Sequence, residues 1–151
     1  MISTNIEVVV LDEKAEALLD SCGLPVSDLR SGCPTQLFGI RDASGFAGLV
    51  GVECYGSVGL LRSLAVREDA RKRGCGSALV THAEEWASQQ GISEIYLFTM
   101  TAAGYFLSLG YVEANRSDAP DAIRKTSQFS TLCPSSSNFM KKMIAGDALP
   151  E

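Results

Sequence analysis

The sequence has only one histidine, and its five cysteines include no Cys-x-x-Cys pair. Zinc sites and disulfide frameworks need such residues at short, regular spacing, so we expect neither, and no metal. The cysteines should be reduced thiols, buried or inert, and a soft-metal role would require that they cluster in space. They are Cys22, Cys33, Cys54, Cys75 and Cys133. The histidine, His82, lies in the body of a predicted helix, where we expect it at the edge of the core.

A surplus of basic residues and a long apolar run are also missing. The net charge is -5, whereas nucleic-acid binders usually present a basic surface, so we expect no nucleic-acid partner. No uninterrupted apolar run is long enough to span a bilayer, and residues 1–11 have neither the apolar core nor the basic leader of a signal peptide. These absences predict a cytoplasmic protein that does not bind membranes.

What is present is typical of one folded domain. The chain has 151 residues, of which 46% are hydrophobic and 21% charged, and this is enough for a substantial core. We predict a single domain over residues 1–144 and a short tail over residues 145–151.

The most informative stretch joins an apolar strand to a helix through a basic turn that contains glycines. The strand runs from Leu60 to Val66, and the turn continues through Arg71-Lys72-Arg73-Gly74-Cys75-Gly76-Ser77. Gly74 and Gly76 allow a tight turn and the close approach of a ligand. The first amides of the following helix attract anions, and the basic residues add local positive charge. The pattern therefore predicts a site for a cofactor that carries a diphosphate.

This stretch resembles the acyl-CoA signature of the GNAT N-acetyltransferases. The likeness covers about residues 46–112 and is strongest in Arg71-x-x-Gly74-x-Gly76 after Leu64-Ala65-Val66. It implies the GNAT fold, an α+β arrangement with a mixed, mostly antiparallel sheet and helices on both faces. It also implies that acetyl-CoA enters as co-substrate where two parallel strands splay apart.

The resemblance further implies which residues bind the co-substrate. Backbone amides near Leu64 and Val66 would bind the acyl-pantetheine arm, and the Leu64 amide would polarise the thioester carbonyl. The implied cofactor-binding residues are Leu64, Ala65, Val66, Arg71, Lys72, Arg73, Gly74, Cys75, Gly76, Ser77 and Phe106.

The usual acid and base of this family are replaced in the sequence. Many members carry a glutamate early in the central strand, where this chain has Leu60, and a tyrosine on a short helix near the end of the domain, where it has Phe106. Glu53, at the end of the neighbouring strand, is our predicted catalytic base, and the alternative is a solvated surface carboxylate. The leaving thiolate would take a proton from solvent or from one of three tyrosines, Tyr96, Tyr105 and Tyr111.

Arg62 and Ser63 lie beside the predicted acetyl site on the central strand. The planar guanidinium of Arg62 suits a carboxylate on the acceptor. The alternative is an ion pair between Arg62 and either Glu53 or Asp69. The predicted substrate-binding residues are Arg62, Ser63, Thr99 and Thr126.

A finer likeness covers about residues 59–140. The stretches 60–66, 101–106 and 126–134 resemble the arsenic-resistance-associated branch of the GNATs, which is similar to amino-acid N-acetyltransferases. This implies transfer of an acetyl group to the amine of a small amino-acid-like acceptor, such as an arsenical or another toxic amino acid. The alternatives are a non-catalytic acyl-CoA sensor, an enzyme acting on a protein amine, and a thiol-based arsenite binder. A homodimer is one option for assembly.

The remaining pattern predicts the order of the elements. Strands are expected at residues 5–11, 36–40, 46–53, 60–66, 92–99, 111–112 and 138–143, the last as an edge strand. Helices are expected at residues 13–20, 76–91, 101–109 and 119–125, with a short helical turn at 27–31. The strands at 60–66 and 92–99 should be parallel neighbours, because a helix connects them. A polar lid is expected at residues 126–135.

Overall fold

The computed structural model describes residues 6–22, 35–43, 45–71, 74–99, 102–125 and 138–144. Its strands are β1 (Ile6–Val9), β2 (Thr35–Asp42), β3 (Gly45–Tyr55), β4 (Val58–Val66), β5 (Glu94–Thr99), β6 (Val112–Glu113) and β7 (Asn138–Met143). Its α-helices are α1 (Glu13–Ser21), α2 (Cys75–Gln89), α3 (Ala103–Ser108) and α4 (Asp121–Arg124). Short 3-10 turns occupy Glu68–Ala70 and Arg116–Asp118.

The strands form one mixed sheet of seven, in the order β1-β2-β3-β4-β5-β7-β6. β1 and β2, β2 and β3, β5 and β7, and β6 and β7 pair antiparallel. β4 and β5 pair in parallel, with Val58 opposite Glu94 and Leu60 opposite Tyr96. The predicted fold class, and the predicted parallel neighbours within it, are confirmed.

The prediction of β7 as an edge strand is wrong. β7 lies between β5 and β6, and Lys141 pairs with both Tyr96 of β5 and Val112 of β6. The pattern of a single strand specifies its faces but not its neighbours, because the order of strands depends on the path of the whole chain.

The described residues divide into two compact units. The first takes its residues from 1–53 and 61–86, and the second from 54–60 and 87–151. In the first unit, Asp12 begins α1 by accepting a hydrogen bond from the Ala15 amide at 2.9 Å. The helix buries one face, formed by Ala15, Leu18 and Leu19, at the spacing that a helical turn requires. That face packs in a core cluster with Val9, Leu37, Phe46, Leu49 and Ala65.

The core of the second unit is more aromatic. The rings of Tyr96 and Phe139 stack with their centroids 5.3 Å apart, and Phe98 lies 4.9 Å from the Phe139 ring. Leu60, Ala119 and Ile123 complete the buried cluster. Paired rings at these separations stabilise a core beyond the area that they bury.

The other element predictions hold with shifted ends. Helix α4 is shorter than the predicted 119–125 because a 3-10 turn at Arg116–Asp118 and Pro120 precede it. The predicted turn at 27–31, the predicted lid at 126–135 and the predicted tail at 145–151 lie outside the described residues. Within the described ranges, none of the helices has both the length and the apolar character needed to cross a membrane.

Candidate functional site

The turn between β4 and α2 has an open backbone at its glycine. Gly74 has φ +84°, a left-handed conformation that side chains rarely adopt, and a Cβ built on it would meet nothing within 4 Å. The first hydrogen bond of the helix runs from the Ala78 amide to the Gly74 carbonyl at 3.0 Å. The amides of the first helical turn therefore face the N-terminal end of α2, where a helix favours negative charge.

Arg71 folds back onto the end of β4. Its Nε donates to the Val66 carbonyl at 3.0 Å, and its Nη2 lies 3.9 Å from the Cys22 sulfur. This brings two predicted cofactor-binding residues, Arg71 and Val66, into contact. The side chain of Cys75 is buried, and Gly76 and Ser77 are half-buried. The other two basic residues of the turn, Lys72 and Arg73, lie outside the described residues.

Glu53 and Arg62, predicted for different roles, form one buried ion pair. The Nη1 of Arg62 donates to the Oε2 of Glu53 at 2.6 Å, and the two side chains are 1% and 2% exposed. Gly51 lies beside the stem of this arginine, since a Cβ there would be in ordinary contact with the Arg62 Cγ at 3.6 Å. A charge buried to this degree is stable only when it is paired and hydrogen-bonded.

The buried ion pair bears on two alternatives that the sequence left open. Glu53 is not a solvated surface carboxylate, because its side chain is buried. Of the two ion-pair partners considered for Arg62, the structure shows Glu53, whereas Asp69 pairs with Arg67. No individual strand pattern predicts this choice, since it depends on the alignment of neighbouring strands.

Ser63 is predicted from the sequence as a substrate contact, but its unusual backbone conformation is not. It is the one non-glycine residue among those described with a left-handed φ, +58° in the middle of β4. Such a conformation costs on the order of 1–3 kcal/mol and persists only where its surroundings hold it. The Nε of Arg62 donates to the Ser63 Oγ at 3.1 Å in a buried contact. Nothing in the sequence marks the position, because serine lacks the usual preference of glycine and asparagine for such angles.

A second arginine, Arg67, follows β4 by one residue and has its own carboxylates. Its Nη2 lies 2.5 Å from the Asp42 Oδ2, and its Nε lies 2.5 Å from the Asp69 Oδ1. The hydrogen bonds that this guanidinium donates, first to Asp42 and then to Asp69, raise its pKa. The bond from Arg67 in turn lowers the pKa of the Asp69 carboxyl. The backbone amide of Arg67 donates to the Ala47 carbonyl at 2.8 Å, so the cluster attaches the end of β4 to β3.

The positions of the missing acid and base are apolar and packed. Leu60 is fully buried in the core cluster of the second unit. Phe106 is buried on α3, with its ring in edge contact with Tyr111 at 5.6 Å.

The three candidate tyrosines have different surroundings in the second unit. Tyr111 is buried, and Tyr105 is 39% exposed. Tyr96 is buried with its hydroxyl 3.4 Å from the Glu94 Oε1. Burial raises the pKa of the Tyr96 hydroxyl, and the negative charge of Glu94 raises it further.

The remaining substrate predictions involve two threonines. The Oγ1 of Thr99 accepts a hydrogen bond from the Ala102 amide at 2.9 Å, so this hydroxyl orders the start of α3. Thr126 lies outside the described residues.

The second unit also has a small polar cavity of about 140 Å³. It is lined by Tyr96, Glu113, Ala114, Asn115, Asp118 and Lys141.

The described cysteines and the histidine lie away from any cluster of metal-binding side chains among the described residues. Cys22 and Cys54 are free thiols, Cys75 is buried, and burial raises the pKa of Cys54. Cys33 and Cys133 lie outside the described residues. The His82 ring makes an edge contact with Phe38 at 4.8 Å on a half-buried helix face. Within the described ranges, no three His, Cys, Asp or Glu side chains come together as a metal ion would need.

One known protein resembles part of this chain in sequence, and several solved structures resemble it in fold. An N-acetyltransferase of Chlorobaculum tepidum, itself uncharacterized, is 38% identical over 63 residues, which are 42% of this chain and 40% of that protein. The N-acetylglutamate synthase of Neisseria gonorrhoeae, complexed with coenzyme A and N-acetyl-glutamate, superposes with a TM-score of 0.73 at 16% identity, over 92% of this chain and 35% of that one. Tetrahymena GCN5 superposes with a TM-score of 0.72 at 18% identity, over 93% and 96% of the two chains.

The chain thus spans well under half the length of the Chlorobaculum relative and of the Neisseria synthase. The sequence pattern of the acetyltransferase (GNAT) domain matches residues 34–113, which include β2 to β6 and the turn at Gly74. That match covers more than half of the chain and contains the strand, turn and helix described above, so this chain belongs to the GNAT acetyltransferase domain family.

Proposed function

We propose that this chain is an acetyl-CoA-dependent N-acetyltransferase that acts on the amine of a small amino-acid-like acceptor. The observation that carries the proposal is the turn from β4 into α2. There Gly74 opens the backbone at a helix start and Arg71 lies against the end of β4. Within a GNAT domain, this geometry suits a diphosphate.

The co-substrate would lie along β4 and at the start of α2. The amides of Leu64, Ala65 and Val66 would hold the pantetheine arm, and the residues from Arg71 to Ser77 would hold the diphosphate. The turn leaves space for such a group on one side of Gly74, because a Cβ there would meet none of the described residues beyond its chain neighbours within 4 Å. Phe106 would pack against the arm, as the family resemblance implies.

When bound, acetyl-CoA supplies a thioester whose carbonyl carbon forms a bond to the acceptor nitrogen as its bond to sulfur breaks. The Leu64 amide would stabilise the negative charge that develops on the carbonyl oxygen. The amine must lose a proton, and the thiolate must gain one. Solvent or one of the three tyrosines would donate that second proton.

Glu53 has two chemical uses in this proposal. It either accepts the amine proton through water, or it anchors Arg62. The 2.6 Å contact between the Glu53 and Arg62 side chains favours the anchor, because a base must release its partner to take up a proton.

The acceptor class is the finer part of the proposal. An amino-acid-like amine, including an arsenical amino acid, is supported by the branch resemblance, and the Neisseria synthase was solved with an acetylated amino acid. Ser63, Thr99 and Thr126 are the proposed polar contacts. Arg62 would contact an acceptor carboxylate only if its guanidinium served Glu53 and the acceptor together.

Two measurements test the proposed function. Calorimetry with acetyl-CoA should show saturable binding, and a mass-spectrometric screen of amino acids should show products heavier by one acetyl group. The screen should include the amide of each amino acid that reacts. If Arg62→Lys raises KM for the acids and leaves their amides unchanged, Arg62 binds the carboxylate, whereas an equal fall in kcat for both assigns it a different role.

The alternative function is a non-catalytic acyl-CoA sensor. The observation that favours it is the apolar packing of Leu60 and Phe106, at the positions where many GNAT enzymes carry their base and acid. Saturable acetyl-CoA binding without release of free CoA, across free amines and protein amines, would support the sensor. No binding would contradict both functions.

The proposal includes a cytoplasmic location and leaves a homodimer as one option. Sedimentation velocity of the purified chain measures the assembly directly.

A further alternative is that the thiols bind arsenite. Loss of arsenite binding in a folded protein whose cysteines are all replaced by serine would support that role.

A further inference from the structure

Ser63 holds a backbone conformation that its residue type does not favour. Its φ of +58° lies within β4, a strand that runs from Val58 to Val66. An extended strand with one left-handed residue turns the adjacent peptide planes away from the regular direction. Some contact must therefore hold this residue in place.

A buried chain of two hydrogen bonds, called the clamp below, reaches Ser63 from the end of β3. Glu53 binds the Nη1 of Arg62 at 2.6 Å, and the Nε of Arg62 binds the Ser63 Oγ at 3.1 Å. A guanidinium is planar, so the two bonds hold a fixed angle to each other. Both charged side chains are almost wholly buried, and in the described residues no buried side-chain nitrogen or oxygen is left without a partner.

We propose that Glu53 and Arg62 are positioning residues that act through Ser63 to aim the Leu64 amide at the thioester carbonyl. The dihedral angles of Ser63 set the direction of the peptide bond that carries the Leu64 N–H. The inference rests on the proposed function, because it requires acetyl-CoA to bind along β4. It also gives Glu53 an indirect role in place of that of a base.

The direct test is the infrared spectrum of bound acetyl-CoA with a ¹³C-labelled thioester carbonyl. A hydrogen bond to this oxygen lowers the stretching frequency, so the wild-type complex should show a lowered band. Ser63→Ala and Arg62→Lys should bind acetyl-CoA but lose most of that shift. Ser63→Asn should keep much of it, because asparagine tolerates the left-handed region and carries an oxygen of its own.

A matched control is Glu7→Gln. Glu7 forms an ion pair with Arg41 at 3.0 Å, but both side chains are exposed to solvent. Removing this charge should leave the carbonyl band unchanged. The contrast separates loss of the clamp from the loss of any ion pair.

Kinetics with a reactive amino acid from the acceptor screen add a second readout. Ser63→Ala should lower kcat by about tenfold to a hundredfold, with KM for acetyl-CoA nearly unchanged, because aim matters most in the transition state. Glu53→Gln should lower the plateau of the pH profile without removing its acid limb. A base at Glu53 would instead make the acid limb disappear.

The results separate the two proposals. Wild-type protein that fails to bind acetyl-CoA contradicts the proposed function itself. If all three variants bind acetyl-CoA normally and show the same carbonyl frequency as wild type, the positioning role alone is contradicted. The three variants are Ser63→Ala, Ser63→Asn and Arg62→Lys. If Ser63→Ala does not fold, the loss of the shift in folded Arg62→Lys still supports the inference, and its retention overturns it.

Discussion

Two arginines separated by five positions meet carboxylates in opposite environments. Arg62, within β4, is 1% exposed and is paired with a glutamate that is 2% exposed. Arg67, just after β4, is 25% exposed, and its partners Asp42 and Asp69 are 37% and 69% exposed. Both pairs join a guanidinium to a carboxylate, but the two pairs differ in their exposure to water.

This difference in solvent exposure indicates what each ion pair contributes to the protein. A buried pair costs desolvation on both sides, so it adds little net stability, yet breaking it leaves a charge without compensation. A surface pair exchanges its bonds with water and is screened by salt. We therefore expect Arg62 to specify geometry, whereas Arg67 helps to attach the end of a strand.

The largest expected effect is at the buried pair. Glu53→Ala should lower the free energy of unfolding by about 3–5 kcal/mol, because Arg62 would stay buried without its carboxylate. Urea denaturation of the variant and the wild type measures this. The double variant Glu53→Leu, Arg62→Met should regain most of the loss, since apolar groups of similar size often replace a buried pair without cost. A single variant as stable as wild type would show that the pair is not buried in solution.

The next effect concerns the second bond of the same guanidinium. Ser63→Ala removes the acceptor of the Arg62 Nε and should cost about 1–3 kcal/mol, the usual range for a buried donor that loses its partner. Ser63→Asn should cost less, because asparagine adopts positive φ more readily than alanine. Thermal unfolding of both variants under identical conditions compares them. Equal losses in the two would argue that φ at this position does not matter.

A smaller effect is expected at the surface cluster. Arg67→Ala should destabilise the protein less than Glu53→Ala, and its effect should shrink at about 1 M NaCl, where the Debye length falls to about 3 Å. The loss at Glu53 should persist at high salt, because buried charges are screened far less. Denaturation at low and high salt checks this. An equal salt dependence for both variants would contradict the assignment of one pair to the surface and the other to the interior.

The smallest effect is on the pH dependence of stability. Arg67 lowers the pKa of the Asp69 carboxyl in the folded state. The ion pair therefore contributes above the ordinary aspartate pKa of about 3.9 and is lost as the pH falls through the lower folded value. The stability curves of wild type and Asp69→Asn should differ near neutral pH and converge in acid. Curves that remain parallel to the lowest pH would contradict this assignment.

The elements of the fold were predictable because their signals are local. Asp12 marks the start of α1 through a side-chain cap, and a run of β-branched residues marks β1. The glycine turn after β4 predicted both a helix and the family to which the chain belongs. The order of the last strands was not predictable, since β7 inserts beside β5 through pairing between residues distant in sequence.

Three residues singled out from the sequence meet in one buried cluster, and the Arg62–Glu53 ion pair was one of the alternatives that the sequence offered. Glu53, Arg62 and Ser63 were each named from the sequence, two as substrate contacts and one as a base. Their assembly into one clamp depends on how β3 aligns with β4 and on a left-handed residue that no motif announces.

The sequence by itself determined the order of the elements along the chain, the cap of α1 and the glycine turn after β4, because periodicity, glycine and capping residues act within a few positions of the chain. Only the tertiary structure decided that one arginine is enclosed with its carboxylate and the other is left in water. Burial is a property of the surroundings that neighbouring strands and helices create, and it sets the electrostatic strength of a charge whose identity the sequence alone supplies.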